Sequence, residues 1–319
     1  MCVVYLLTPQ TKLRLSGGRY LIERKGKRLH SLLHHEVDCV VLSRQAEITM
    51  PALYALLEQH AGIFFVDYRG RLIGQADTGY HSFERTRIQY AQFEANGLLF
   101  SREILRRKLT EQQHLLRSYA KTKHDLELAH DAGEIKTYRK KLAMAASVDE
   151  LRGIEGIAAR KYFSAFPLIL SPIWKWEGRN RRPPRDPVNA LLSFGYALLE
   201  RDVRLALLGT GLDPGCGFLH ANNGRKDSLV FDFLEPFRPS IIDHFILRAL
   251  NLRIYRPDEF TVTDADGCRL SRQARDRFLA GFEQYMEQPC QRFSGLSPRV
   301  HLRQAIDAFA RDMFRTASG

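Results

Sequence analysis

Residues 215–239 of this chain carry the residue types best suited to chemistry: a histidine, His220, and two acids, Asp232 and Glu235, within sixteen positions. His220 closes an apolar run, and the polar turn Asn222-Asn223-Gly224-Arg225-Lys226-Asp227 follows it, rich in residues that tolerate left-handed backbone. At helical pitch Asp232 and Glu235 share one face, while Leu229, Phe233 and Phe237 form a separate apolar stripe. Carboxylates set among Leu, Val and Phe are expensive to bury unless something cationic compensates them. A divalent metal shared with His220 would do so, and so would an arginine, Arg238 being the obvious one. Taken alone, the spacing fits a solvated face or an internal salt bridge, because acids at i and i+3 are common on ordinary helices.

A third acid strengthens the metal reading. Ser147 and Glu150 form a capping-box signature at the start of a helix whose inward stripe is Leu151, Ala158, Ala159, Tyr162 and Phe166. Glu155 falls on that stripe, where a carboxylate needs a partner. Gly153 and Gly156 flank it, each costing about 1 kcal/mol of helix propensity against alanine. Arg152 and Arg160 are near in sequence but point elsewhere on the helical wheel.

Length and charge bound the partners. With 319 residues, 45% hydrophobic and 26% charged, the composition is that of a globular protein with room for two domains. The net charge of +12 comes from arginines spread along the chain rather than from one tail, which suits a folded surface facing a polyanion, nucleic acid first. Five dispersed cysteines without C-x-x-C spacing argue against a disulfide framework and a thiolate zinc site. The apolar run Cys2–Leu7 is too short for a signal peptide, and no stretch approaches the ~20 apolar residues of a membrane span. The expectation is a cytoplasmic protein with no membrane partner.

The elements that must position these residues fall into two classes, giving an α+β fold. Residues 1–78 read as a small β-sandwich-like domain: short β-rich runs, hairpin signals at Ser16-Gly17-Gly18, at Lys25-Gly26 and at Asp67-Tyr68-Arg69-Gly70, and one helix entered through Thr49 and Pro51. His30, His34 and His35 have no well-placed acid, so this unit reads as scaffold and oligomerisation surface. Residues 79–92 read as a linker, and 93–319 as a larger all-α domain, which the family resemblance given below makes the catalytic one. Its first helix is basic, with Arg102, Arg106, Arg107, Lys108, Arg117, Lys121 and Lys123 between apolar positions. The segment from Trp174 to Pro187 is aromatic, then arginine- and proline-rich, hence a loop. Arg179, Arg181, Arg182 and Arg185 in it, together with Arg225 and Arg238, are candidate phosphate contacts, against the plainer reading of a solvated connector. A core helix follows from Pro187, in which Tyr196 reads as a packed aromatic. Another helix is expected to start at Ser240. Asp264-Ala265-Asp266-Gly267 opens like a calcium loop but lacks the fifth ligand and the closing glutamate, so a hairpin turn is expected.

Three blocks resemble the signatures of one family. L-R-G-I-E-G-I-A-A-R-K-Y-F (151–163), R-R-P-P-R-D-P-V-N-A-L-L-S-F-G-Y-A-L-L (181–199) and G-F-L-H with S-L-V-F-D-F-L-E-P-F-R-P (217–239) are similar to those of the CRISPR adaptation integrase, the universal CRISPR-associated endonuclease that inserts new spacers. They occur in the family's order and spacing, over essentially the whole chain. The resemblance implies homodimerisation through the β domain and catalysis by Glu155, His220, Asp232 and Glu235. It also implies Mg²⁺ or Mn²⁺ held by Glu155, His220 and Glu235, a ligand set whose hard oxygens and single imidazole suit those ions. Asp232 lines the same site. Some relatives carry Asp where this chain has Glu235, whose longer side chain can still ligate. The implied reaction is attack of a prespacer 3′-hydroxyl on a repeat-end phosphodiester in double-stranded DNA. The implied assembly is a heterohexameric complex with a small adaptation partner protein. Two rivals remain: a non-catalytic basic DNA-binding architectural subunit, whose acids would form a salt-bridge network, and a metal-dependent RNA nuclease.

Overall fold

The computed structural model describes residues 2–67, 72–76, 83–180, 183–208, 210–220, 227–263 and 267–315. The chain divides into two compact units, Met1–Tyr80 and His81–Gly319.

The first unit contains β1 (Cys2–Leu6), β2 (Thr11–Ser16), β3 (Arg19–Arg24), β4 (Lys27–Leu33), β5 (Val37–Ser43), β6 (Glu47–Ile48), α1 (Met50–Glu58), β7 (Gly62–Val66) and β8 (Leu72–Ala76). One sheet has the order β4-β3-β2-β6, the other β1-β5-β7-β8. Gly17 and Gly18 (φ +57° and +69°), then Lys25 and Gly26 (+48° and +75°), close the two hairpins of the first sheet, the left-handed pair that a two-residue turn between twisted strands requires. β5 pairs in parallel with both β1 and β7. Central in its sheet, it buries Cys39, Val40, Val41 and Leu42 consecutively, the continuous apolar run of a strand covered on both faces. Leu6, Leu13, Tyr20, Val40, Leu42, Leu56 and Ile63 form one core.

Among its described residues the second unit is helical apart from one hairpin. It comprises α2 (Phe83–Lys123), α3 (Leu126–Lys141), α4 (Val148–Ser164), α5 (Phe166–Ile169), α6 (Pro187–Leu208), α7 (Ser228–Phe237), α8 (His244–Asn251), the pair β9 (Phe260–Thr263) and β10 (Gly267–Leu270), α9 (Arg272–Glu287) and α10 (Pro298–Arg315). No helix among the described residues is long and apolar enough to cross a membrane. β9 and β10 are antiparallel; residues 264–266, where the hairpin turn was expected, lie outside the described residues.

Two sequence expectations need correction. The stretch 79–92, read as a linker, is helical from Phe83 onward, forming the first turns of α2. Its apolar periodicity is weak because the inward positions are polar. Gln89 Nε2 donates to the carbonyls of Asp213 (3.0 Å) and Cys216 (2.9 Å), and its Oε1 accepts from Asp213 N (2.7 Å). Buried amides that satisfy a loop's backbone do the work of leucines here. The helix expected to begin at Ser240 is instead a continuation. A π-helical turn, Arg238–Asp243, joins α7 to α8 without a break. Pro236 and Pro239 supply no N–H to the ladder, and a wider turn absorbs that loss without a new cap.

Candidate metal centre

Glu155 projects from α4. Ser147 Oγ accepts from Glu150 N (3.2 Å) to start that helix, while the Glu150 carboxylate accepts from Ala146 N (2.9 Å). Leu151, Ala158 and Tyr162 are buried along the same face. Asp232 and Glu235 project from α7, both buried. His220 lies at the end of the described part of the loop that precedes α7, its side chain 42% exposed.

The two acids of α7 do different work. Asp232 is fully enclosed and accepts four N–H groups from the loop: Phe218 N (2.5 Å), Leu219 N (2.9 Å), His220 N (2.9 Å) and the His220 ring at Nδ1 (2.6 Å). A carboxylate can only accept, so Nδ1 carries a proton and Nε2 is the ring nitrogen left for another partner. This is the arrangement in which an acid outside the metal's own shell fixes the tautomer of a ligating histidine. Gly217 makes the wrapping possible. A Cβ there would come within 2.7 Å of the Ser228 backbone and 2.9 Å of Asp232 Oδ2. From the other side Arg152 donates to the Leu219 carbonyl from Nε (2.9 Å) and Nη2 (2.5 Å), tying the loop to α4.

Glu235 faces α2 and α4 instead. Lys108 Nζ, from α2, lies 2.5 Å from Glu235 Oε2 and 2.5 Å from Glu155 Oε1. The two carboxylate oxygens are therefore no further apart than twice that distance. Arg238 holds the other oxygen of Glu235. Burial alone would raise the Glu235 carboxyl; Arg238, Lys108 and His220 outweigh it and hold it at about 2. Burial likewise opposes the charge on Lys108, and Glu235 and Glu155 outweigh it, raising the ammonium above its ordinary value.

Beneath this pair a polar network fixes the helices relative to one another. Tyr162, two turns beyond Glu155 on α4, donates to Asp243 Oδ2 (2.8 Å), and Tyr196 on α6 donates to Asp243 Oδ1 (2.6 Å). Arg238 lies over the Tyr196 ring, 4.9 Å from its centroid. Tyr196 is thus packed, as expected, and also a donor. Burial raises the Asp243 carboxyl to about 6, against its Tyr and Arg neighbours. His244 next to it, stacked on Tyr285, is lowered to about 4 by burial and by Arg292 and Arg248. A histidine neutral in the fold and basic when unfolded adds stability above its unfolded value near 6.5 that is lost as pH falls towards 4. Asp243 has the opposite sign, so the difference between proteins is the readout. Urea unfolding at pH 7 and pH 4.5 should show His244→Gln losing about 2 kcal/mol less on acidification than wild type; identical losses would contradict the assignment.

The predicted phosphate contacts divide. Arg185 is exposed, with its backbone N–H donating to Asn180 Oδ1 (2.8 Å). Arg179 is turned inward, donating to Asn189 Oδ1 (2.7 Å) and Ser193 Oγ (3.2 Å) and lying over Tyr196. Arg238 is likewise enclosed, its side chain 16% exposed against Glu235. Arg181, Arg182 and Arg225 lie outside the described residues.

The donor set fits a hard divalent ion in kind. Two carboxylates from different helices face one point, an imidazole offers Nε2, and Glu235 Oε2 is enclosed with its ion contact to Lys108 not directed as a hydrogen bond. As placed, no three His, Cys, Asp or Glu groups among the described residues converge on a single ion position; Lys108 stands between the two glutamates. Sequence reasoning missed Lys108, which it grouped with a basic helix face. Its register was the available signal: Ser101, Ile104, Leu105, Lys108, Leu109 and Gln112 all fall on the buried side of α2.

A family model described as CRISPR associated protein Cas1 matches residues 4–284. A CRISPR-associated endonuclease Cas1 of Thermus thermophilus is 34% identical over 281 residues, covering 88% of this chain and 85% of that protein. A CRISPR-associated exonuclease Cas4/endonuclease Cas1 fusion of Geobacter sulfurreducens is 34% identical over 332 residues, covering 99% of this chain; the chain spans 58% of the fusion's length. Among solved structures, a Cas1 protein from Thermotoga maritima superposes with a TM-score of 0.85 at 25% identity, covering 98% of this chain and 97% of that one. This chain belongs to the Cas1 family of CRISPR-associated proteins.

Proposed function

We propose that this chain is a divalent-metal-dependent DNA endonuclease and integrase that joins 3′-hydroxyl ends of short duplex DNA to repeat-end phosphodiesters of a CRISPR array. The observation that carries the reading is the meeting of Glu155 and Glu235 around one cationic position, beside a histidine whose Nε2 is left available by Asp232. A salt-bridge network alone has no need to hold a histidine in one tautomer. The ligands are Glu155, Glu235 and His220, and Mg²⁺ or Mn²⁺ is the ion such donors suit. When bound, the ion polarises the scissile phosphate and stabilises charge on the leaving oxygen.

The chain's own residues do the rest. Asp232 and Arg152 hold the loop that presents His220. Arg238, enclosed against Glu235, supports that carboxylate. Arg185, with Arg181, Arg182 and Arg225, contacts DNA phosphates, which fixes position without reading sequence. The β unit is the homodimer surface, and a small adaptation partner protein brings two such sites to the two ends of one duplex.

The test is an integration assay with labelled prespacer DNA and a repeat-containing plasmid, with Mg²⁺, Mn²⁺ or chelator, and with or without the small partner. Joined product that requires the metal supports the reading; DNA binding without joining under every condition returns the chain to an architectural role. Replacing Arg181, Arg182 and Arg185 by serine should weaken duplex binding and reduce the slope of log affinity against log salt by about 2 to 3. An unchanged slope makes that segment a plain connector.

A further inference from the structure

Lys108 is the one member of the site with no role in this reading. It sits within the buried face of α2, flanked by Ile104, Leu105 and Leu109, its side chain only 7% exposed. Lysine is almost never enclosed to that degree unless paired, and here one ammonium serves two carboxylates from two other helices. Its Nζ is 2.5 Å from both Glu155 Oε1 and Glu235 Oε2, so it sits between the two carboxylates that a divalent ion would have to bridge. The ammonium therefore occupies the position from which a divalent ion would reach both glutamates, and two cations cannot share it. The other cation on Glu235 is not in the way. Arg238 takes Oε1 and is held over Tyr196, whereas the Lys108 ammonium is carried on a four-carbon stem whose rotatable bonds let the charged end withdraw.

We infer that Lys108 is the resident counter-ion of the site: its ammonium neutralises Glu155 and Glu235 when no divalent ion is present, and it must be displaced for one to bind. Lys108 is thus a positioning residue that sets metal affinity and lets the metal-free protein hold two facing carboxylates without loss of fold. The inference rests on the metal-site reading above. Two consequences separate it from a purely structural lysine. Removing the ammonium removes a competitor, so the metal binds more tightly. It also leaves the glutamates under-compensated, so the fold comes to depend on the metal.

Free Mn²⁺ followed by electron paramagnetic resonance gives the affinity, and thermal unfolding in EDTA and in saturating Mn²⁺ gives the dependence. Lys108→Met should bind Mn²⁺ at least about tenfold more tightly than wild type. It should melt about 5 °C or more below wild type in EDTA, with most of that gap closed by Mn²⁺. Lys108→Gln, uncharged but able to donate to both carboxylates, should show the same gain in affinity with a smaller melting gap, and it carries the comparison if the methionine variant does not fold. Affinity equal to or weaker than wild type, or a melting deficit that persists undiminished in Mn²⁺, overturns the inference. If Mn²⁺ binds neither wild type nor the Lys108 variants, the metal-site reading itself fails. The control is Glu155→Gln, in which the Mn²⁺ affinity should fall.

Discussion

Replacing His220 by alanine, or Glu155 by glutamine, should lower both strand transfer and cleavage on the order of a thousandfold while leaving duplex binding within about threefold of wild type. On the proposed metal-site reading each change removes one ligand from a site that stabilises charge developing in the transition state, and a lost ligand is worth several kcal/mol there. Neither side chain anchors the fold. His220 is 42% exposed, and losing the Glu155 charge leaves Lys108 still paired with Glu235 at 2.5 Å. Gel-shift and product assays on the same preparations check the split. Variants that retain activity would remove these residues from the site, and variants that lose binding in parallel would make them DNA contacts rather than ligands.

Asp232→Asn has a different signature, because Asp232 organises the loop. Its carboxylate takes four N–H donors. An asparagine offers one acceptor oxygen and turns an NH₂ group toward the remaining donors, leaving about two of them unsatisfied. At about 1–3 kcal/mol each, the fold loses about 2–6 kcal/mol, and Mn²⁺ affinity drops about 10- to 100-fold as His220 loses its orientation. Urea unfolding measures the first, metal titration the second, and hydrogen exchange at the amides of Phe218, Leu219 and His220 should accelerate. If those amides keep full protection while metal binding vanishes outright, Asp232 is itself a ligand, and its role and that of Glu235 must be reassigned.

How much of this was readable from residues alone depended on whether a side chain broke a local pattern. Glu155 stood out because it interrupts the apolar stripe of α4, and the distance from residue 155 to 220 was bridged by the need for a cation, not by any contact visible in one dimension. The separation of Asp232 from Glu235 was not readable. It arises from the chain at 217–220 closing over α7 at a position where Gly217 has no room for a Cβ, which is a property of the packed loop. Lys108 hid among the surface arginines of α2, since nothing local marks a lysine whose partners lie on two other helices. The early start of α2 hid for the converse reason, because Gln89 and Gln92 are buried but polar. The hairpins at Gly17-Gly18 and Lys25-Gly26 were plain, because a two-residue turn with positive φ leaves a compositional trace.

On the reading proposed above, Glu155, Glu235 and His220 form one cation site, in which a divalent ion replaces the Lys108 ammonium. The most direct measurement is anomalous diffraction from crystals of the protein grown with Mn²⁺. One strong peak is expected in contact with Glu155, Glu235 and His220 Nε2, with the Lys108 ammonium withdrawn from both carboxylates and Asp232 still bonded to Nδ1. Lys108 still seated between the glutamates at saturating Mn²⁺, with any peak elsewhere, would contradict it.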